Sequence, residues 1–221
     1  MRTDIRPNSR TSHKFFSGPT VDVARRLIGA TLLRRIPLGE PDAGELLSGR
    51  IVETEAYLPL VDPSCHGYRG PTSRTATLFG RPGFAYVYLI YGMHFCLNVT
   101  TEPPGIGAAV LIRALEPLSG IEAMRRRRGA LVELKALTCG PGNLCRAMSI
   151  DLSCDGLGLQ EGDLRIEANS RRAAPEVAVS GRIGLTVAQT WPLRFYDPNS
   201  PSISPFQKGR KQRLIRAASS R

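Results

Sequence analysis

A chain of 221 residues with 42% hydrophobic content is long enough for one full core, and a single domain is the default. Its five cysteines, Cys65, Cys96, Cys139, Cys145 and Cys154, are odd in number and form no C-x-x-C pair, which argues against a disulfide framework and a structural zinc site and fits a reducing, intracellular compartment. No apolar run is long enough to span a membrane, and the N-terminal MRTDIRPNSRTSHKFF lacks the apolar segment of a signal peptide; no metal or cofactor is expected, and a monomer is the default.

The net charge is +11. Residues 198–221 carry six of the excess positive charges and residues 1–14 carry three, leaving two for the span between them. This pattern predicts a flexible basic arm over 1–14, a domain over 15–197 and a basic, disordered tail over 198–221. Such tails serve either as solvated arms or as non-specific attractors of phosphate. Only four basic residues are lysines: Lys14, Lys135, Lys208 and Lys211. A mechanism needing a buried lysine nucleophile has almost no candidate.

In chain order, Thr20–Gly29 reads as a short helix with Thr20 as N-cap and Gly29 at its end. Residues 30–36 read as a strand, 37–44 as a loop and 46–57 as a long strand. Residues 58–83, rich in Pro, Gly, Ser, Thr and Arg, form a long ordered loop of the kind that carries function. FAYVYLIYGMHFCLNVTT, residues 84–101, is a hairpin with its tip at Tyr91-Gly92-Met93. Residues 105–114 form another strand. Ser119-Gly120-Ile121-Glu122 has the form of a capping box opening a helix that ends at Gly129, with the Arg125–Arg128 run facing solvent. Gly140-Pro141-Gly142-Asn143 precedes a further helix, whose free amides suit a phosphate as well as a plain turn. Strands outnumber helices, so the class is α+β with a mostly antiparallel sheet.

The strand IVETEAY places Glu53 and Glu55 on one face, about 7 Å apart, together with Ile51 and Tyr57. Paired acids suit acid–base work; a structural pair with Arg50 or Arg113 is the other reading, and the pattern alone does not choose between the two glutamates. Arg113, flanked by apolar residues, demands a partner, either a glutamate or a phosphate. Tyr86 and Tyr88 share a strand face and read as core. Tyr91 and Met93 sit at the hairpin tip, where they act either as a wedge between bases or as a plug into another part of the protein. His66 and His94 are lone histidines.

GRIVETEAY, then His66 in DPSCHGYRG, then YVYLIYGMHFCLNVT and AAVLIRALEP, with LTCGPGNLC and PLRFY as later landmarks, closely resembles the alkyladenine (3-methyladenine, methylpurine) DNA glycosylases over about residues 15–196. The resemblance implies a single domain with a curved sheet, flanking helices and a protruding β-hairpin, related to the formyltransferase C-terminal domain. It implies a monofunctional enzyme that flips alkylated or deaminated purines (3-methyladenine, 7-methylguanine, hypoxanthine, ethenoadenine) out of double-stranded DNA and hydrolyses the N-glycosidic bond. By the same resemblance Glu55 is the general base, Tyr57, His66 and Tyr88 contact the flipped base, and Asn98 excludes the 2-amino group of guanine. Arg113 then lies near the catalytic water and the phosphate, and Tyr91 with Met93 fills the gap in the duplex. Glu53 is left as a structural partner of an arginine. A non-catalytic damage binder and an RNA-binding domain are the other classes considered; an acid at Glu55 favours an enzyme over the first, and a protruding Tyr91 favours DNA over the second.

Overall fold

The computed structural model describes residues 11–169, 175–205 and 215–216. Among them run strands β1 (Thr31–Arg35), β2 (Leu46–Tyr57), β3 (Ala85–Ile90), β4 (His94–Thr100), β5 (Ala109–Ser119), β6 (Leu164–Glu167), β7 (Ala178–Ser180), β8 (Arg194–Tyr196) and β9 (Ile215–Arg216). The α-helices are α1 (Thr20–Leu27), α2 (Ile121–Arg128) and α3 (Pro141–Ala147). All strand pairs are antiparallel, in the order β3-β4-β5-β2-β8-β7-β9, with β1 joined to β2 and β6 joined to β1. The class is the expected α+β single domain.

β2 is the spine. One edge pairs with β5 along most of its length; the other pairs with β1 over residues 46–50 and with β8 over residues 53–55. At the changeover the register against β5 slips between Ile51 and Glu53 and again between Glu53 and Thr54. A bulge of this kind inserts a residue and re-aims the side chains beyond it. Strict alternation places Ile51 with Glu53; the bulge overturns that. Ile51 packs in the main core with Ala56, while Thr54 donates to the Ala24 carbonyl of α1 at 3.0 Å. Glu53, Glu55 and Tyr57 are thereby left on the opposite face.

Each long strand thus has two faces with different purposes. Ala56, Val87, Leu97, Val99, Val110 and Ile112 join Val23, Ala24 and Leu27 of α1, Ala123 and Met124 of α2, and Leu144, Cys145 and Ala147 of α3 in one core. Full burial stabilises by about 1.5–3 kcal/mol for each large apolar side chain. On the other face one rung crosses five strands, Tyr86↔Asn98↔Leu111↔Glu55↔Arg194, and it is rich in polar groups.

Several local expectations are corrected. Pro19, not Thr20, is the N-cap of α1, and the Thr20 amide and hydroxyl both donate to the Glu102 carboxylate at 2.9 Å. No capping box opens α2: Gly120 takes a left-handed conformation at φ 71°, and the Ser119 hydroxyl donates to the Leu46 carbonyl instead. The α2 arginines are not a plain solvated face. Arg126 and Arg127 both pair with Asp42, and Arg125 and Arg128 donate to the carbonyls of Val132 and Leu137. β5 begins at Ala109 rather than at 105. Residues 198–205, counted with the tail on charge alone, pack against the domain, with Ser200, Ser202 and Ser204 buried; most of the chain beyond 205 and all of residues 1–10 lie outside the described residues.

Residues 58–83 are ordered by two 3-10 segments, His66–Arg69 and Ser73–Phe79, the second opened by a reciprocal Thr72–Thr75 cap. The loop is fastened to the start of β5 at Gly67, which lies so close to Gly107 that a Cβ would overlap the Gly107 carbonyl oxygen. Gly67→Ala should therefore destabilise the fold by about 1–3 kcal/mol, the usual cost of overpacking, as read by denaturant titration; an unchanged midpoint would show that the contact is loose.

Candidate active site

The polar face of the sheet forms the floor of a cavity of about 430 Å³, within the roughly 300–1,000 Å³ typical of small-molecule pockets. Tyr57, Tyr88, Asn98 and Arg113 line it from the strands, His66 from the long loop, and Gly140–Asn143 from the start of α3. Every expected site residue except Met93 and Glu55 is on the lining; Glu55 lies just behind it, joined to three residues that are.

Arg113 stands between the two acids. Its Nε donates to Glu53 Oε1 and its NH1 to Glu55 Oε2, each at 3.2 Å. Glu53 also accepts from Arg194 Nε at 2.6 Å and from the Ser204 amide at 2.7 Å. Arg194 is held in turn by the Ser180 hydroxyl and the Ser204 carbonyl, both at 3.1 Å. Two carboxylates and two guanidinium groups thus balance in charge, which is what deep burial requires. Burial alone would raise the Glu53 carboxyl; Arg194 and then Arg113 outweigh it and hold the group below its usual range. Arg50, the other partner considered for these acids, binds Glu116 and Asp197 instead.

Glu55 is 0% exposed. Its Oε2 accepts from the Tyr57 hydroxyl at 2.9 Å as well as from Arg113, and its Oε1 accepts from the Ile183 amide at 2.8 Å. A carboxylate offers about four lone-pair directions, so these three donors leave one for a further donor. Oε2 already accepts two of them, so the open direction is on Oε1, and all three donor residues, Tyr57, Arg113 and Ile183, line the cavity. Burial, followed by the neighbouring Glu55 charge, pushes the Tyr57 phenol well above its ordinary value, so it stays a proton donor.

Aromatic rings make up much of the lining. The His66 and Tyr88 rings lie 4.4 Å apart, tilted by 57°. His66 Nδ1 is 3.0 Å from the Tyr86 hydroxyl. Burial and the nearby Arg74 charge lower the His66 pKa below its ordinary 6.5, so the imidazole is neutral at pH 7 and repels no cation. The Asn98 amide nitrogen donates to the carbonyls of Tyr86 and Cys96 at 3.1 and 3.4 Å, which fixes the side chain and turns its oxygen to the other side.

At the hairpin tip, Tyr91 and Gly92 both have positive φ, 53° and 69°, and the Met93 amide closes the turn onto the Ile90 carbonyl. An aromatic residue in this region of backbone space is uncommon and strained. The strain presents Tyr91, 79% exposed, beside Met93, 70% exposed. Arg74 braces the hairpin by donating to the Leu89 carbonyl at 2.9 Å.

Tyr86, read from the sequence as core, is buried but reaches His66. Arg194, Ser204 and the Ile183 amide escaped notice; Arg194 had the same signal as Arg113, a cation flanked by apolar strand residues, whereas backbone amides have none. Asp62 and Arg182 were also unseen. They form a buried ion pair with no pattern in the sequence to link them.

The chain that builds this acid-bearing aromatic pocket matches one family over most of its length. The chain belongs to the methylpurine-DNA glycosylase family, whose sequence profile matches residues 14–201. It is 44% identical over 199 residues to a protein of Methanocella arvoryzae, covering 88% of this chain and 96% of the relative. A Rhodopseudomonas palustris protein is 47% identical, covering 88% of each chain, and one from Mesorhizobium japonicum is 48% identical, covering 84% and 85%. All three carry the name "Putative 3-methyladenine DNA glycosylase". The chain is accordingly a DNA repair hydrolase acting on N-glycosyl bonds of alkylated bases, and its substrate is DNA. Among the described residues no helix is long and apolar enough to cross a membrane.

Glu53→Gln should reduce stability at neutral pH by about 3–5 kcal/mol, the cost of breaking a buried ion pair. The Glu53 carboxyl is held below its ordinary 4.5, so its contribution is complete above that pH and is lost as pH falls through the folded value. Denaturant titrations of wild type and variant should converge below about pH 4.5; a gap that persists unchanged at lower pH would contradict the assignment.

Proposed function

We propose that this glycosylase extrudes a damaged purine from duplex DNA into the aromatic cavity and cleaves its N-glycosidic bond with a water activated by Glu55. The observation that carries the reading is the single free acceptor direction of a buried carboxylate, beside a cavity of aromatic faces. A base inside the stack is out of reach of such a carboxylate, and extrusion costs a few kcal/mol. Tyr91, held outward with Met93, is the wedge that offsets this cost by filling the gap. Tyr57, His66 and Tyr88 receive the base. A cationic alkylpurine gains from the electron-rich ring faces, and a neutral His66 does not oppose it. Asn98, tethered by its amide nitrogen, cannot swing aside and so excludes the 2-amino group of guanine.

Glu55 takes the proton of the attacking water as bonding to C1′ begins, and its charge stabilises the cationic sugar. Arg113 keeps the carboxylate aimed. Water is the nucleophile rather than lysine: Lys14 and Lys135 are absent from the cavity lining, and Lys208 and Lys211 lie outside the described residues. The range of lesions includes 3-methyladenine, 7-methylguanine, hypoxanthine and ethenoadenine.

Glu55→Gln should slow release of free base from a methylated duplex by about 10²–10⁴, the usual contribution of a general base, with binding to the same DNA retained. Release at the wild-type rate would remove Glu55 from the mechanism. Tyr91→Ala should reduce the 2-aminopurine fluorescence rise that accompanies extrusion; an undiminished rise would mean that the wedge lies elsewhere.

A further inference from the structure

Behind Tyr57, on the side away from the cavity, lies a second pair of buried charges. The Arg182 guanidinium sits 4.6 Å from the centre of the Tyr57 ring. Both its terminal nitrogens bind the Asp62 carboxylate, NH2 at 2.9 Å, and NH1 also donates to the Ala56 carbonyl at 3.0 Å. Both side chains are fully buried, and neither lines the cavity. Arg182 Nε has no hydrogen-bond partner among the described residues. Leaving that donor unpaired costs about 1–3 kcal/mol, and the guanidinium lies against the Tyr57 ring.

The neighbours of Arg182 explain what that position achieves. Ala56 and Tyr57 directly follow Glu55, and Ile183 directly follows Arg182. Tyr57 donates to Oε2 of Glu55 and Ile183 donates to Oε1. One guanidinium therefore fixes, through its stack and its bond to Ala56, the phenol on one oxygen of the carboxylate, and through the chain, the amide on the other. It also covers one ring face, so only the other face or the edge of Tyr57 can meet a ligand.

We propose that Arg182, locked by Asp62, is a positioning residue that aims the Glu55 carboxylate by holding both the Tyr57 hydroxyl and the Ile183 amide upon it. The role rests on Glu55 as the general base. Arg182 touches neither substrate nor water; it acts through Tyr57 and Ile183.

The test is single-turnover release of base from a methylated duplex under saturating protein, in wild type, Arg182→Lys, the charge-free pair Arg182→Met with Asp62→Leu, and Glu55→Gln. Amplitude reports the folded fraction; the rate constant reports alignment. Arg182→Lys keeps a cation but not the planar fork, so its rate constant should fall about tenfold, and that of the charge-free pair should fall about 100-fold, the size expected for a misplacement near 1 Å. Affinity for a duplex containing an abasic-site analogue should stay within about twofold, because no group that meets DNA has changed. A purely structural pair would lower the amplitude and leave the rate constant intact, so wild-type rate constants in both Arg182 variants, with Glu55→Gln inactive, would overturn the positioning role. A fully active Glu55→Gln would instead overturn the base assignment and, with it, this proposal.

Discussion

One cation shared between two buried acids is the interaction on which the site depends. Arg113 alone could not neutralise both carboxylates, and two carboxylates on one strand face would repel each other if left without it. Arg194 supplies the second positive charge from the neighbouring strand and takes up Glu53 almost wholly. The two glutamates are thereby made unequal. Each carboxylate accepts three hydrogen bonds, but of the Glu53 donors only Arg113 lines the cavity, whereas all three Glu55 donors do, so the acceptor direction left on Glu55 is the one beside the cavity. The proposed division into a structural and a chemical partner rests on where the second arginine lies.

That arrangement depends on a sheet with two dissimilar faces. The bulge between Ile51 and Thr54 turns Glu53 away from the core that Ile51 enters, just where β2 changes partner from β1 to β8. β8 brings Arg194, and the segment that follows it brings Ser204. The helices pack on the apolar face, α3 reaching the cavity only with its first turn, so the polar face is free to carry tyrosines, an asparagine and an arginine as a cavity floor. Loop 58–83, clamped at Gly67 against Gly107, then adds His66 above that floor.

Much of this was legible from residues 46–57, where β2 begins and ends where the pattern placed it, and from the hairpin, whose tip falls at Tyr91-Gly92-Met93. The pairing of Glu55 with Glu53 was readable too, but their inequality was not, because a bulge leaves no mark on a strand of alternating residues and an arginine 141 positions away is invisible to local pattern. Helix caps misled for a similar reason: Ser119 and Thr20 had better partners in distant elements than in their own helices. The tyrosines of the pocket stood out in the sequence, but their pattern read Tyr86 and Tyr88 as core, and only the family resemblance placed Tyr88 against a base. The buried pair of Asp62 and Arg182, joined only by tertiary packing, was not visible. Family resemblance named the lining residues together with Glu55 and Arg113, and passed over Arg194, Asp62 and Arg182 behind them.

The central claim, that Arg113 and Glu55 act as one unit while Glu53 serves as its anchor, is tested most directly by a double-mutant cycle on the single-turnover rate constant. Arg113→Met, Glu55→Gln and the double variant are compared at neutral pH on protein shown to be folded. Groups that work as a unit are strongly non-additive, so the double variant should be little slower than Glu55→Gln alone. Rate losses that multiply would show that Arg113 and Glu55 contribute independently, and would contradict the account.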